Sequence, residues 1–281
     1  MEPLVFFAVL AAAAMHAGWN AVVKVGLDPF LSIVLVALSS GAVALCLVPF
    51  VPVPGADVWP FLIASGALHV LYNLCLVQAY QAGDLGQIYP IARGAAPMLV
   101  ALAGVLVLRE PQTATEAAGI ALLVSGVWLM AVRGGRGAAL PQGRGILFAL
   151  LTSLCIASYT LLDGIGARRA DGAAVYAIYL FVIDGVLILA LVAAMRGAAG
   201  FRAMSRAWAG GFAGGMMSLF AYWVVIWAMT RAPIPQVAAL RETSVLFALA
   251  ISSVMLRERP TAWRIAAGLL IVAGALALRL G

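Results

Sequence analysis

Ionic side chains are what this sequence has least of. Its 281 residues include 17 Lys and Arg and 11 Asp and Glu, 10% of the chain against about 25% in an average soluble domain. So few charges cannot cover a water-facing surface of this length, which excludes soluble enzymes, nucleic-acid-binding domains and secreted scaffolds. Lysine is almost missing: Lys24 is the only one, and the arginines lie singly or in small groups between apolar segments. The net charge of +6 therefore describes membrane topology rather than a nucleic-acid patch. Cysteine is scarce, and Cys46, Cys75 and Cys155 each fall in an apolar run, where they act as small hydrophobes without a disulfide framework. No basic leader opens the chain. Glu2 stands there instead, and Leu4 to Val23 is long enough to be a first spanning helix rather than a signal peptide. With two histidines, His16 and His69, and no His/Asp/Glu group at metal spacing, no metal or cofactor is implied. An intramembrane serine protease is a remote alternative, because Val124-Ser125-Gly126 has Leu123 where a nucleophile element needs glycine.

What is present is apolar sequence, 65% of the chain. At roughly 20 residues per span, ten segments fit: 4–24, 30–50, 58–81, 85–108, 113–132, 144–167, 173–195, 207–230, 234–256 and 261–280. Asp28-Pro29, Gly83-Asp84, Glu110-Pro111, Asp171-Gly172 and Arg259-Pro260 break the chain between them. The runs are too long for barrel strands and lack a period of two. The expectation is an all-α integral membrane protein with ten transmembrane helices.

The longest connector, Gly- and Arg-rich around 135–143, divides the chain into a first five-helix repeat, 1–134, and a second, 144–281. Leu108-Arg109-Glu110 recurs as Leu256-Arg257-Glu258, and at the same offset Arg93 meets Arg241. Trp19 matches Tyr159, Ser40-Gly41 matches Asp184-Gly185, and Tyr72 matches Tyr222, all in order. An odd number of helices per half makes the repeats inverted, an architecture suited to alternating access. Lys and Arg outside the two deep arginines favour the odd-numbered connectors about two to one, which places both termini outside the cytoplasm.

The two five-helix halves, the Tyr89-Pro90-Ile91-Ala92-Arg93-Gly94-Ala95-Ala96-Pro97 segment and the repeated Leu-Arg-Glu turn resemble the EamA-type branch of the drug/metabolite transporter superfamily. Within that branch the aromatic positions are most similar to the YddG-type aromatic amino-acid exporters. The resemblance implies a multi-pass transporter, not an enzyme, in a bacterial inner membrane. One departure is that Ala238 and Val245 stand where the first half has Pro90 and Pro97, so the fourth and ninth helices need not bend alike.

A charge within the hydrocarbon costs at least ~2.5–3.5 kcal/mol and faces a partner or a polar space. Arg93 and Arg241 lie about 24 Å before their turns at ~1.5 Å per residue, too deep to reach the interface. Two roles are open to each: an ion pair with Asp184, Glu242 or Asp163, or a two-pronged grip on a substrate carboxylate or phosphate. His69, Tyr72, Asn73 and Tyr80 share a face of the third helix. Trp19, Asn20, Tyr89, Tyr159, Tyr222 and Trp223 complete the substrate-binding candidates, while Trp59, Trp208 and Trp263 suit the interfacial belt. Asp184 and Glu242 are candidates for proton coupling or ion pairing. The reading for Asp184 is a carboxylate held by an arginine, and His69 reads as hydrogen-bonded structure. Gly119 with Gly126, and Gly268 with Gly274, are packing points.

Such a site suits the export of small amphipathic metabolites, aromatic and other apolar amino acids first, with drug cations or phosphorylated metabolites as the alternative. The partners expected are that small-molecule substrate and the lipid bilayer, with no nucleic acid, the chain acting as a monomer that is a fused pseudo-dimer.

Overall fold

Long apolar runs in lipid must satisfy their own backbone groups, and coiling into helices does so within each segment. The computed structural model describes residues 1–23, 29–82, 91–134, 143–204, 207–256 and 261–281, and among them it is helical with no strand. The first half contains α1 (Pro3–Val23), α2 (Pro29–Leu47), α3 (Trp59–Gln81), α4 (Ala96–Leu106) and α5 (Ala114–Gly134). The second contains α6 (Gly143–Arg169), α7 (Ala173–Met204), α8 (Trp208–Met229), α9 (Ile234–Arg241), α10 (Ser244–Leu256) and α11 (Ala262–Leu280). Eight described stretches are long and apolar enough to cross a membrane, α9 with α10 counting as one, and Ile91–Leu106 and Ala114–Met130 are apolar but shorter.

Helix starts follow local chemistry. Proline, which needs no donor there, lies in the first turn of α3, α4 and α9. Before α5, the Thr113 N–H donates to the Glu116 carboxylate at 2.8 Å and the Glu116 N–H donates to Thr113 Oγ1 at 3.2 Å, a reciprocal cap.

Two spans are broken where continuous helices were expected. A helical turn at 91–94 is interrupted at Ala95, because Pro97 has no N–H to give to the carbonyl of Arg93. The ninth span is interrupted at Glu242 and Thr243, although no proline stands there. Tight bonds replace the α-helical ones: Glu242 N–H to Ala239 O, Thr243 N–H to Leu240 O, Val245 N–H to Glu242 O and Leu246 N–H to Thr243 O. The Thr243 hydroxyl also donates to Leu240 O at 2.8 Å. Ala95 and Thr243 occupy matching places in the repeat register, so the two halves break at the same place although the second lacks the prolines of the first.

Packing between the halves is symmetric. α1 lies on α8 as α6 lies on α3; α2 lies on α8 as α7 lies on α3; and α2–α7 and α5–α11 cross their own counterparts. Gly41 and Gly185, matched in sequence, meet in space: a Cβ on Gly41 would sit 2.8 Å from the Gly185 Cα and 3.0 Å from the Phe181 carbonyl oxygen. At the α5–α11 crossing, Gly119 faces the carbonyl of Gly274 and Gly126 that of Ala267. Gly268 instead has only the side chain of Leu246 beside it at ordinary contact distance.

Both termini lie at one end of the bundle, where Arg279 donates to the carbonyl of Met1 at 3.0 Å. The largest core fills that end, joining Val5, Phe6 and Val9 of α1, Leu62 of α3, Tyr176 of α7, Met229 of α8 and Ile234 of α9. A polar strap crosses it. Arg168 pairs with Glu110 and donates to the carbonyls of Met229 at 2.8 Å and Ala232 at 3.0 Å, while the Ile234 N–H donates to Glu110 at 3.1 Å. Glu110 thereby caps the buried N-terminus of α9, and Arg168 the C-terminus of α8.

The glycine crossing sets a test. Gly41→Val or Gly185→Val drives a side chain into backbone that cannot yield, and is expected to cost about 1–3 kcal/mol or more, read as a lower melting temperature in detergent. Gly210→Ala, with nothing within 4 Å of its Cβ position, is expected to leave that temperature unchanged.

Candidate functional site

The two helix breaks bring the deep charges together. Arg93, in the turn before Ala95, meets Glu242 at the break of the ninth span: Nη2 lies 2.9 Å from Oε1 and Nε 3.2 Å from Oε2, a side-on, two-pronged pair. Both side chains are buried, at 6% and 1% relative exposure. Ser153 of α6 holds the same turn from the other side, its hydroxyl donating to the Ala92 carbonyl at 2.7 Å. Of the two roles open to Arg93, the structure shows the ion pair.

Arg241 is placed differently. It corresponds to Arg93 in the repeat, but the residue that corresponds to Glu242 is Gly94, which has no side chain, and Trp128 Nε1 would lie 3.0 Å from a Cβ there. Among the described residues no carboxylate forms an ion pair with Arg241. It is buried all the same, its Nε has no hydrogen-bond partner, and its guanidinium lies 5.8 Å from the centre of the Tyr222 ring.

Around it stands an aromatic group from three helices. His69 of α3 lies against Tyr159 of α6 with ring centres 4.1 Å apart, Tyr72 meets Tyr159 edge-on at 6.0 Å, and Tyr222 of α8 meets Tyr159 edge-on at 6.3 Å. Tyr222 and Tyr176 both donate hydroxyls to Asp163, which is fully buried; the Tyr176 bond is 2.9 Å. Asp184 of α7 faces His69, its Oδ1 3.6 Å from Nδ1, and neither atom has a hydrogen-bond partner. The expectation that an arginine holds Asp184 is therefore corrected: among the described residues no arginine forms an ion pair with Asp184, and the basic group that faces it is an imidazole. His69 is likewise not saturated by hydrogen bonds.

The remaining sequence candidates divide. Asn73 is buried on α3. Trp19 donates to His16 Nδ1 at 3.3 Å and Asn20 to the His16 carbonyl at 2.8 Å, so both are engaged within α1. Trp223 is half-buried against two of the apolar cores and stacks on the exposed Phe220 with ring centres 6.5 Å apart. The side chain of Tyr80, Tyr89 with Pro90, the Arg257-Glu258 half of the repeated turn, and nearly all of the connector at 135–143 lie outside the described residues. Tyr176 was not legible as a site residue: it stands near a helix end in sequence, where aromatics ordinarily mark the interface, and only the close approach of α6 and α7 brings it to Asp163. A separate groove of about 570 Å³ between α4 and α5, with Met98, Ile120, Val124 and Trp128 on its walls, is apolar and contains none of the central residues.

The sequence matches the EamA-like transporter family in two blocks, residues 3–132 and 143–280. The chain belongs to that family. It is accordingly a multi-pass membrane protein built of two EamA repeats, and membership points to a transporter of small solutes and not to an enzyme. A solved crystal structure, titled only as that of a protein, shares its fold with a TM-score of 0.79 at 18% identity, covering 100% of this chain and 98% of that one. No curated protein matches the sequence.

In this EamA-like chain, loss of the acid beside Arg93 and loss of Arg241 itself should affect stability in opposite ways. Glu242→Ala strands a buried cation and is expected to cost about 3–5 kcal/mol, seen as a large drop in melting temperature or in folded yield. The double change Arg93→Leu with Glu242→Leu should recover most of that loss. Arg241→Leu removes a buried charge with no carboxylate partner and should leave the melting temperature unchanged or higher.

Proposed function

We propose that this chain is a secondary transporter that exports small amphipathic solutes, with aromatic and other apolar amino acids as the substrate class, by alternating access at the centre of the bundle. In this reading all ten spans cross the membrane, the two shorter helices included, as inverted repeats 1–134 and 144–281. Both termini face away from the cytoplasm, and one chain suffices as a fused pseudo-dimer in a bacterial inner membrane.

The observation that carries the substrate class is Arg241. A guanidinium buried among aromatic rings without a carboxylate is the complement of a solute that brings its own carboxylate and an apolar body. The rings of Tyr72, Tyr159 and Tyr222 supply amphipathic walls for that body. Carbonyls at the interrupted fourth and ninth spans suit an ammonium group, as interrupted helices do in other transporter folds. A drug cation would meet Arg241 as a like charge. A phosphorylated solute would carry more negative charge than one arginine without a carboxylate partner offsets.

Flux into proteoliposomes tests the reading. Labelled phenylalanine, tyrosine, tryptophan or methionine should show saturable counterflow, and Arg241→Gln should lower kcat/KM at least tenfold at equal folded protein. Saturable flux of a sugar phosphate with none for any amino acid would overturn the substrate class while leaving transport intact.

A further inference from the structure

We propose that His69 and Asp184 together form the site that carries a coupling proton, taken up from water on one side of the membrane and released on the other. This rests on the transport reading above and adds a driving ion to it. Three features of the geometry lead to it.

The two groups face one another across a gap of 3.6 Å, between His69 Nδ1 and Asp184 Oδ1, and each of those atoms lacks a hydrogen-bond partner. A proton shared between an imidazole and a carboxylate makes a charge-assisted bond of about 2.7–2.9 Å. The gap is therefore wider than the bond that a proton would form. Occupancy by a proton would draw α3 and α7 together, and loss of it would release them.

Those two helices belong to different halves of the chain. α3 and α7 meet where Gly66 admits the side chain of Ile183, one residue from Asp184, and Asp184 itself adjoins the Gly41–Gly185 crossing on the pseudo-twofold axis. Closing the gap to that bond length, a change of about 0.7–0.9 Å, moves one repeat against the other, which is the motion alternating access requires. The facing atoms are themselves buried, while the rest of the two side chains keeps 13% and 18% relative exposure, in contrast to 1% for the paired Glu242.

The charge of the pair is also felt where substrate would bind. His69 lies against Tyr159 and meets Tyr222 edge-on at 6.0 Å, and Tyr222 is the ring beneath Arg241. The titratable and charged groups that face the pair are Tyr72 on α3, Tyr159 and Asp163 on α6, Tyr222 on α8 and Arg241 on α9, with His16 of α1 and the neutralised Arg93–Glu242 pair beyond. Asp163 is already saturated by two phenols and Glu242 by Arg93, which leaves Asp184 as the acid with an unengaged oxygen in this group.

The test compares uptake of labelled phenylalanine into proteoliposomes with and without an imposed pH gradient, expressed as a ratio. Wild type should give a ratio of severalfold, and Asp184→Asn and His69→Gln should each bring it to one. The second variant decides the matter if the first does not fold. Nitrogen-15 NMR of the two histidines gives a readout that needs no substrate: Asp184→Asn should shift the titration of one histidine and leave the other in place. A ratio above one in both variants, or a wild-type ratio of one with counterflow intact, overturns the proton site and spares the transport reading. Absence of counterflow for every amino acid overturns both.

Discussion

The buried pair between Arg93 and Glu242 is the constraint on which the centre of this protein depends. It joins the halves at the two points where their helices are interrupted, and its two hydrogen bonds fix both the guanidinium plane and the carboxylate. Removing such a pair as a unit is tolerable; removing one member leaves a charge in a dry interior, which costs several kcal/mol. The interrupted helices thus cannot separate far at this point without exposing a bare charge to an apolar environment. In the alternating-access reading proposed above, motion between the halves would pivot about the pair rather than break it, with contacts farther along the seam, such as α3 against α7, changing instead.

The seam tolerates such motion because it is built from small residues. Gly41 on Gly185, and Gly119 and Gly126 on α11, let backbones approach within van der Waals contact without interlocking long side chains. Interdigitated leucines would resist sliding, because each knob would have to leave its hole. The contrast lies at the end that carries the termini, where bulky residues of five helices interlock and the Glu110–Arg168 strap ties four chain segments. That end is closed by hydrophobic packing that spans both halves. In the alternating-access reading, opening it would expose much of that core, so the strap and the core together would set the cost of that step.

The spans were legible in the sequence because a window of about 20 apolar residues has few alternatives in a chain so poor in charge. The repeat was legible too, since Arg93 with Arg241 and Ser40-Gly41 with Asp184-Gly185 hold a common order, and the latter pair proved to touch. The interruption of the ninth span was not. Its signal is a set of i to i+3 bonds and one threonine hydroxyl, which no residue preference announces, whereas Pro97 advertises the matching break in the fourth. Nor could sequence assign partners: two arginines and three acids lay at comparable depth, and several pairings were consistent with spacing. Only the crossing of helices from opposite halves gives Glu242 to Arg93, Asp163 to two tyrosines and Asp184 to His69.

The exception to the repeat is the most informative single position. Had position 94 been acidic, as its counterpart 242 is, both arginines would be neutralised and the centre would be symmetric about its axis. A symmetric, neutral centre has no reason to orient a solute with one charged end. With glycine at 94 and Trp128 filling its space, one arginine is structural and its twin is left with aromatic neighbours alone. The two repeats supply the two interrupted helices and the glycine seam between them, and with no carboxylate at 94 Arg241 lacks the partner that Arg93 has. The acid that remains unengaged, Asp184, corresponds to Ser40, whose hydroxyl is taken up by the carbonyls of Val36 and Gly215. Here too the first half uses the position for packing while the second carries an ionisable group, so the residues on which the proposed function rests lie where the two halves differ in sequence.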